Sequence, residues 1–258
     1  MISRLLLRRS VAHGPLALMY HGIDSPGDLS NSPWSLPRRA FAAHLRMLRD
    51  EGYTGHTIDA LPGGQPGRHV AITFDDGYRN NLVAAEALEA AGYSATFFVV
   101  SGSLGGAPCW RDDDGPRDAI MDAAALRELS ARGFEIGSHG DRHERLTHLS
   151  AAQARSSLEI SRQVLGEIIE RPIVSLAYPY GDWNAEILAC AEHAGYRNAC
   201  TTQSGWALRD GDRLRIRRLS VMREDTPARL ARKLAVAANA VEWVTLWQNR
   251  LGLQGAKR

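Results

Sequence analysis

Paired cysteines, net charge and long apolar runs are all scarce in this 258-residue chain. Its three cysteines, Cys109, Cys190 and Cys200, show no spacing suited to zinc or thioredoxin chemistry, and an odd number cannot close a full disulfide framework. Buried, reduced thiols are expected. The 31 basic and 29 acidic residues leave a formal charge of +2, so nothing demands nucleic acid as a partner. The Leu5-Leu6-Leu7 run among the N-terminal arginines is too short for a signal-peptide core or a membrane span. A cytoplasmic chain is expected, with the inner face of a membrane as the second location. The reason for the second is residues 228–251, rich in arginine, leucine, valine and tryptophan, where Trp243 and Trp247 are spaced to share a helix face. Such a helix either packs on the rest of the fold or makes a peripheral membrane contact. No internal repeat or low-complexity linker divides the chain, and its length suits one large core. The sequence gives no expectation for oligomeric state.

What is present is alternation. Apolar strands are expected at 16–20, 70–74, 95–100, 134–137, 173–177, 198–201 and 214–221. Helices are expected between them, at 37–51, 81–91, 123–131, about 150–170 and 184–194, with a last one at 226–238. Phe41, Leu45 and Leu48 share one face of the first, and Ser150 with Gln153 forms a capping box at the start of the fourth. Strands alternating with helices predict a parallel sheet covered by helices, doubly wound or closed into a barrel.

Two of these strands end in chemistry. Thr73-Phe74 runs into Asp75-Asp76-Gly77, and Phe134 to Gly137 runs into Ser138-His139-Gly140-Asp141-Arg142-His143. Adjacent carboxylates repel unless a cation or proton neutralises one of them. One aspartate beside two neutral imidazoles gives three protein ligands and an open position, the arrangement of a catalytic metal site, and leaves the second aspartate as a base. Each motif alone has a plainer reading. Asp-Gly after a strand is a turn signal, and two histidines four apart can line a polar face. Both fall at C-terminal ends of strands, where α/β folds place their active sites.

Together with Leu176-Ala177-Tyr178-Pro179-Tyr180-Gly181, these stretches resemble the three signature motifs of the polysaccharide deacetylase family, carbohydrate esterase family 4, over residues 16–221. The likeness implies a distorted (β/α) barrel of about seven parallel strands. It implies an N-terminal extension at 1–15, a catalytic domain at 16–225 and a C-terminal helical extension at 226–258. It also implies hydrolysis of N-acetyl groups from amino sugars of a polysaccharide or its oligosaccharide or lipid-linked precursor, so an N-acetylated glycan is the expected partner. Asp76, His139 and His143 would bind a divalent metal, zinc first and cobalt or nickel as alternatives. Asp75 would be the base, and the backbone N–H near Tyr180 would help hold the oxyanion.

Two departures from the family pattern stand out. Many members begin the third motif with an arginine that tethers the catalytic aspartate, and Ala177 stands there in this chain. Arg218 resembles a substitute used by a subgroup. The late histidine that commonly serves as general acid is also missing, since no histidine follows His193. His21, in Met19-Tyr20-His21, resembles one carried by the poly-N-acetylglucosamine deacetylase subgroup and is expected to donate a proton or bind substrate. His13, His44, His56, His69, His148 and His193 match no motif. Tyr178, Trp183 and Trp110 are candidate sugar contacts, and Asp112-Asp113-Asp114 reads as a solvated acidic loop. Two alternatives stay open: an amidase acting on a small-molecule C–N bond, and a catalytically silent glycan-binding module.

Overall fold

The expected apolar runs form the strands of one curled parallel sheet. In chain order the strands are β1 (Leu16–Tyr20), β2 (Gly22–Asp24), β3 (Ser35–Pro37), β4 (Thr54–His56), β5 (His69–Phe74), β6 (Thr96–Val99), β7 (Glu135–Ser138), β8 (Ser175–Ala177), β9 (Asn198–Cys200) and β10 (Leu219–Ser220). Seven of them lie in the order β10-β1-β5-β6-β7-β8-β9, β4 pairs with the first half of β5, and β2 with β3 forms a separate parallel pair. This computed structural model describes residues 2–9, 14–24, 32–63, 67–110, 116 and 118–242. Trp243, Trp247 and Asp112-Asp113-Asp114 lie outside those residues.

The expected strand at 214–221 is much shorter. A 3-10 turn occupies Arg213–Arg215, Ile216 bridges to Cys200 of β9, and only Leu219–Ser220 pairs with β1. The segment passes from one neighbour to another, so neither ladder can lengthen. Its reward is topological, because it draws the two ends of the sheet together into a barrel-like ring.

Helices α1 (Ile2–Arg9), α2 (Arg38–Asp50), α3 (Asn81–Ala91), α4 (Ala123–Ala131), α5 (Ala151–Ile169), α6 (Ala185–His193) and α7 (Pro227–Val236) cover the sheet. Phe41, Leu45 and Leu48 of α2 are buried, as their spacing predicts, and both bonds of the Ser150/Gln153 capping box form at the head of α5. Helix α1 packs against α7 with Leu7 fully buried, and its Arg4 and Arg8 pair with Glu51. Among the described residues no helix is long and apolar enough to cross a membrane. Cys190 and Cys200 are buried as expected, whereas Cys109 is exposed on an irregular loop that offers no core to enter.

The sheet separates two apolar layers. Leu16, Leu18, Tyr20, Val70, Ile72, Phe74, Phe97 and Val99 pack outward under the helices, while Ala17, Ala71, Phe98, Ala177, Cys200 and Ile216 fill the inside of the ring. The alternation follows from side chains pointing to opposite faces along a strand. Interior positions are mostly small, and Gly137 cannot carry a side chain, since a Cβ there would lie 2.5 Å from the Phe98 ring. That leaves room inside for something large.

Candidate metal centre and active site

The inward alternation of each strand, continued by one step past its end, delivers the functional side chains. After Ala17 and Met19 comes His21. After Ala71 and Thr73 comes Asp75, and after Glu135 and Gly137 comes His139. All three line one cavity of about 480 Å3 at the C-terminal mouth of the ring, together with Asp76, His143 and Tyr180.

Asp76 joins them by a backbone twist. Its φ is 73° and that of Gly77 is 83°, two successive left-handed residues that turn the second carboxylate back toward the cavity. His143 (φ 54°) and Tyr180 (φ 60°) are left-handed as well. Non-glycine residues in this region cost on the order of 1–2 kcal/mol each, and such strain gathers where a site requires it. The histidine loop is pinned from several sides: Ser101 Oγ donates to Asp141 at 2.9 Å, and the Gly140 N–H donates to Ser138 Oγ at 3.1 Å.

Asp76, His139 and His143 each offer one atom within 4.8 Å of the others. Both Nε2 atoms stand 3.4 Å from Asp76 Oδ1, which is buried and has no hydrogen-bond partner. His139 Nδ1 lies 2.8 Å from the Ala177 carbonyl oxygen. A carbonyl only accepts, so Nδ1 carries a hydrogen, and the ring in its neutral form aims the Nε2 lone pair at the carboxylate. Lone pairs facing one another across a buried gap fit a divalent cation, and the carbonyl partner on the far ring nitrogen is the usual support for a ligating histidine.

Electrostatics agree. Burial alone would raise the Asp76 pKa, but the neighbouring imidazoles of His139, His21 and His143 hold it far below the usual carboxylate range. Burial, with His139 beside it, pushes His143 down to about 3, leaving it a neutral donor. Burial also opposes charge on His139, yet Asp76 and Asp75 outweigh it and raise that pKa. A cation would take the place of that proton.

Arg218 occupies the room left inside the ring. Its side chain is fully buried, with Nη1 and Nη2 donating to the two oxygens of Asp75 at 2.6 and 2.7 Å. Further bonds run from Nη1 to Thr73 Oγ1 and from Nε to the Thr201 carbonyl, both 3.0 Å. Burial would raise the Asp75 pKa, and the Arg218 charge with His139 more than offsets it, keeping Asp75 ionised. Arg218 reaches Asp75 from the segment that links β9 to β10, across the inside of the ring.

His21 lines the same cavity, its Nδ1 buried without a partner and its ring 4.6 Å from that of Trp34. Burial lowers its pKa against the pull of Asp76 and Asp75, so it rests neutral. The candidate sugar contacts divide. Trp110 stands beside His143, ring to ring 4.5 Å, and lines an outer groove of about 690 Å3 that shares His143, Arg145 and Tyr180 with the cavity. Trp183 lies apart from both, with Arg215 over its ring at 5.4 Å. Tyr178 also lines the cavity, buried in its wall with its hydroxyl donating to the Leu214 carbonyl at 3.1 Å. Trp34 and Arg145 line the cavity without any motif to announce them. The only early signal for Trp34 was its place shortly after His21, in the segment between the first strand and the first helix.

The profile of the family described as "Polysaccharide deacetylase" matches residues 63–199. YxkH of Bacillus subtilis, provisionally named a polysaccharide deacetylase, is 30% identical over 211 residues, covering 79% of this chain and 70% of that one. The chain therefore belongs to the polysaccharide deacetylase family. Two solved structures share its fold: IcaB from Ammonifex degensii (TM-score 0.72, 24% identity, 88% of this chain and 99% of that one) and the Streptococcus pyogenes deacetylase PplD in complex with acetate (0.71, 23%, 86% and 97%).

Proposed function

We propose that this protein is a metal-dependent hydrolase that removes N-acetyl groups from amino sugars of a polysaccharide or of its oligosaccharide or lipid-linked precursor, with zinc as the native ion. The observation that carries the reading is a buried Asp76-His139-His143 set beside a second carboxylate, Asp75, that Arg218 holds ionised. A divalent cation bound there supplies Lewis-acid activation of water and of the amide carbonyl.

The chain's own residues do the rest. Asp75, kept out of the ligand set by its two bonds to Arg218, accepts the proton of the attacking water. The Tyr180 N–H meets the developing oxyanion. His21 gives a proton to the departing amine, and because it rests neutral it acts as an acid only after gaining a proton in the cavity. Acetate leaves, and the glycan gains a cationic amine. The outer groove, larger than the catalytic cavity and sharing His143, Arg145 and Tyr180 with it, suits a substrate of several sugars. In this reading residues 16–225 carry the catalysis.

The test is acetate release from defined N-acetylglucosamine oligomers, with chelator and with Zn, Co or Ni restored. Metal-dependent release that Asp75→Asn abolishes supports the reading. Release from small amides but not from oligomers replaces it with the amidase, and glycan binding without any turnover replaces it with a binding module.

A further inference from the structure

The turn at residues 179–181 contains two successive left-handed residues, Tyr180 at φ 60° and Gly181 at φ 71°. A Cβ at Gly181 would lie 2.1 Å from Thr202 Oγ1, so only glycine fits there. Tyr180 has no such freedom and keeps its conformation only where its surroundings hold it. The turn's own bonds, from the Gly181 N–H to the Tyr178 oxygen at 2.8 Å and from the Asp182 N–H to the Pro179 oxygen at 3.2 Å, set its curvature without gripping the tyrosine ring.

Arg145 grips the ring. Its guanidinium carbon sits 4.2 Å from the Tyr180 ring centroid, and the same guanidinium pairs with Asp182, the residue that follows the turn. One side chain thus spans the turn from its middle to its end. Arg145 is also two residues past His143, whose ring lies 4.5 Å from that of Tyr180. The loop that carries the metal ligands and the turn of the third motif are joined at this cation.

We propose that Arg145 is a positioning residue for the reaction, holding the 179–181 turn in the backbone conformation that presents the Tyr180 N–H to the cavity. The proposal rests on the deacetylase reading for the charge that this N–H meets. Its competitor is an ordinary surface ion pair, since the Arg145 side chain is 44% exposed. Pairs of that kind contribute little to stability, which lets function and folding be separated by experiment.

The experiment compares Arg145→Met, Arg145→Lys, Asp182→Asn and the Arg145→Met/Asp182→Asn double variant. It reads kcat and KM for acetate release, zinc affinity, thermal midpoint, and amide hydrogen exchange at Gly181 and Asp182. For Arg145→Met the expected result is a kcat lower by about 10-fold or more with KM within about twofold. Zinc affinity and midpoint stay unchanged, and exchange at the two amides is faster. Arg145→Lys recovers part of kcat, and the double variant is no slower than Arg145→Met, because the two residues act through one contact. Unchanged kcat with unchanged exchange overturns the proposal, as does a rise in KM alone, or a loss of zinc affinity or midpoint that parallels the loss of kcat. If the wild-type chain releases no acetate, the deacetylase reading fails separately. Exchange then decides the positioning role, with a loosened turn supporting it and a protected one ending it.

Discussion

Arg218 and Asp75, 143 residues apart in sequence, meet inside the ring through two parallel bonds of 2.6 and 2.7 Å. Removing one partner of such a buried pair strands the other charge, at a cost of about 3–5 kcal/mol. Arg218→Met is therefore expected to lower unfolding stability by that order in urea titrations and to abolish turnover. Combining it with Asp75→Asn is expected to restore part of the stability and none of the activity. Additive losses would contradict a direct pair.

Gly77 follows the two acids at φ 83°, and a Cβ there would stand 2.8 Å from Val99 Cγ1 and 3.2 Å from the Val99 backbone. Gly77→Ala is expected to cost about 1–3 kcal/mol through left-handed strain and crowding. Because the same twist aims Asp76, zinc affinity is expected to fall with it. Calorimetric unfolding and zinc titration of the variant check both halves.

Trp34 faces the cavity beside His21. If it stacks on the sugar, Trp34→Ala raises KM for N-acetylglucosamine oligomers by about 2–10-fold with kcat nearly unchanged. A fall in kcat alone would instead place Trp34 behind His21 as its support.

How much of this was legible in the chain differs from residue to residue. Asp75 and His139 were readable because strands end directly before them and the inward step is fixed by the pleat, whereas Asp76 and His143 were readable from their motifs and reach the cavity through left-handed turns. The capping box of α5 and the apolar face of α2 were readable for the same local reasons. Arg218 was reachable only through resemblance, since burial of an arginine depends on the small residues Ala71, Gly137 and Ala177 of three other strands leaving it space. The short strands β2, β3 and β4 carry no apolar run, so neither they nor Trp34 had a periodic signal. The expected strand at 214–221 was overstated because apolar periodicity does not say that a segment changes neighbours halfway. Tyr178 was readable from its motif and does line the cavity, but the bond that anchors its hydroxyl to Leu214, 36 residues on, had no local signal.

His44 makes stability depend on pH away from the metal centre. It is fully buried, with Nε2 2.7 Å from the Asp225 carbonyl and Nδ1 3.2 Å from the Tyr20 hydroxyl, and burial pushes its pKa down to about 4 against the pull of Asp225. The unfolded chain takes up this proton near the ordinary imidazole value while the folded chain does not. Stability is therefore full above about pH 6.5 and is lost as pH falls toward 4, by up to about 3 kcal/mol from this residue. Urea midpoints measured from pH 7 to 4.5 are expected to fall less steeply in His44→Gln than in the wild type. Parallel curves would contradict the assignment.

Calorimetric titration of zinc into the metal-stripped chain tests the central claim most directly. The wild type and Asp75→Asn are each expected to bind one equivalent, while Asp76→Asn, His139→Gln and His143→Gln bind about 100-fold more weakly or not at all. A wild-type chain that binds no zinc, or an Asp76→Asn variant that binds it undiminished, would contradict a centre built from one carboxylate and two imidazoles.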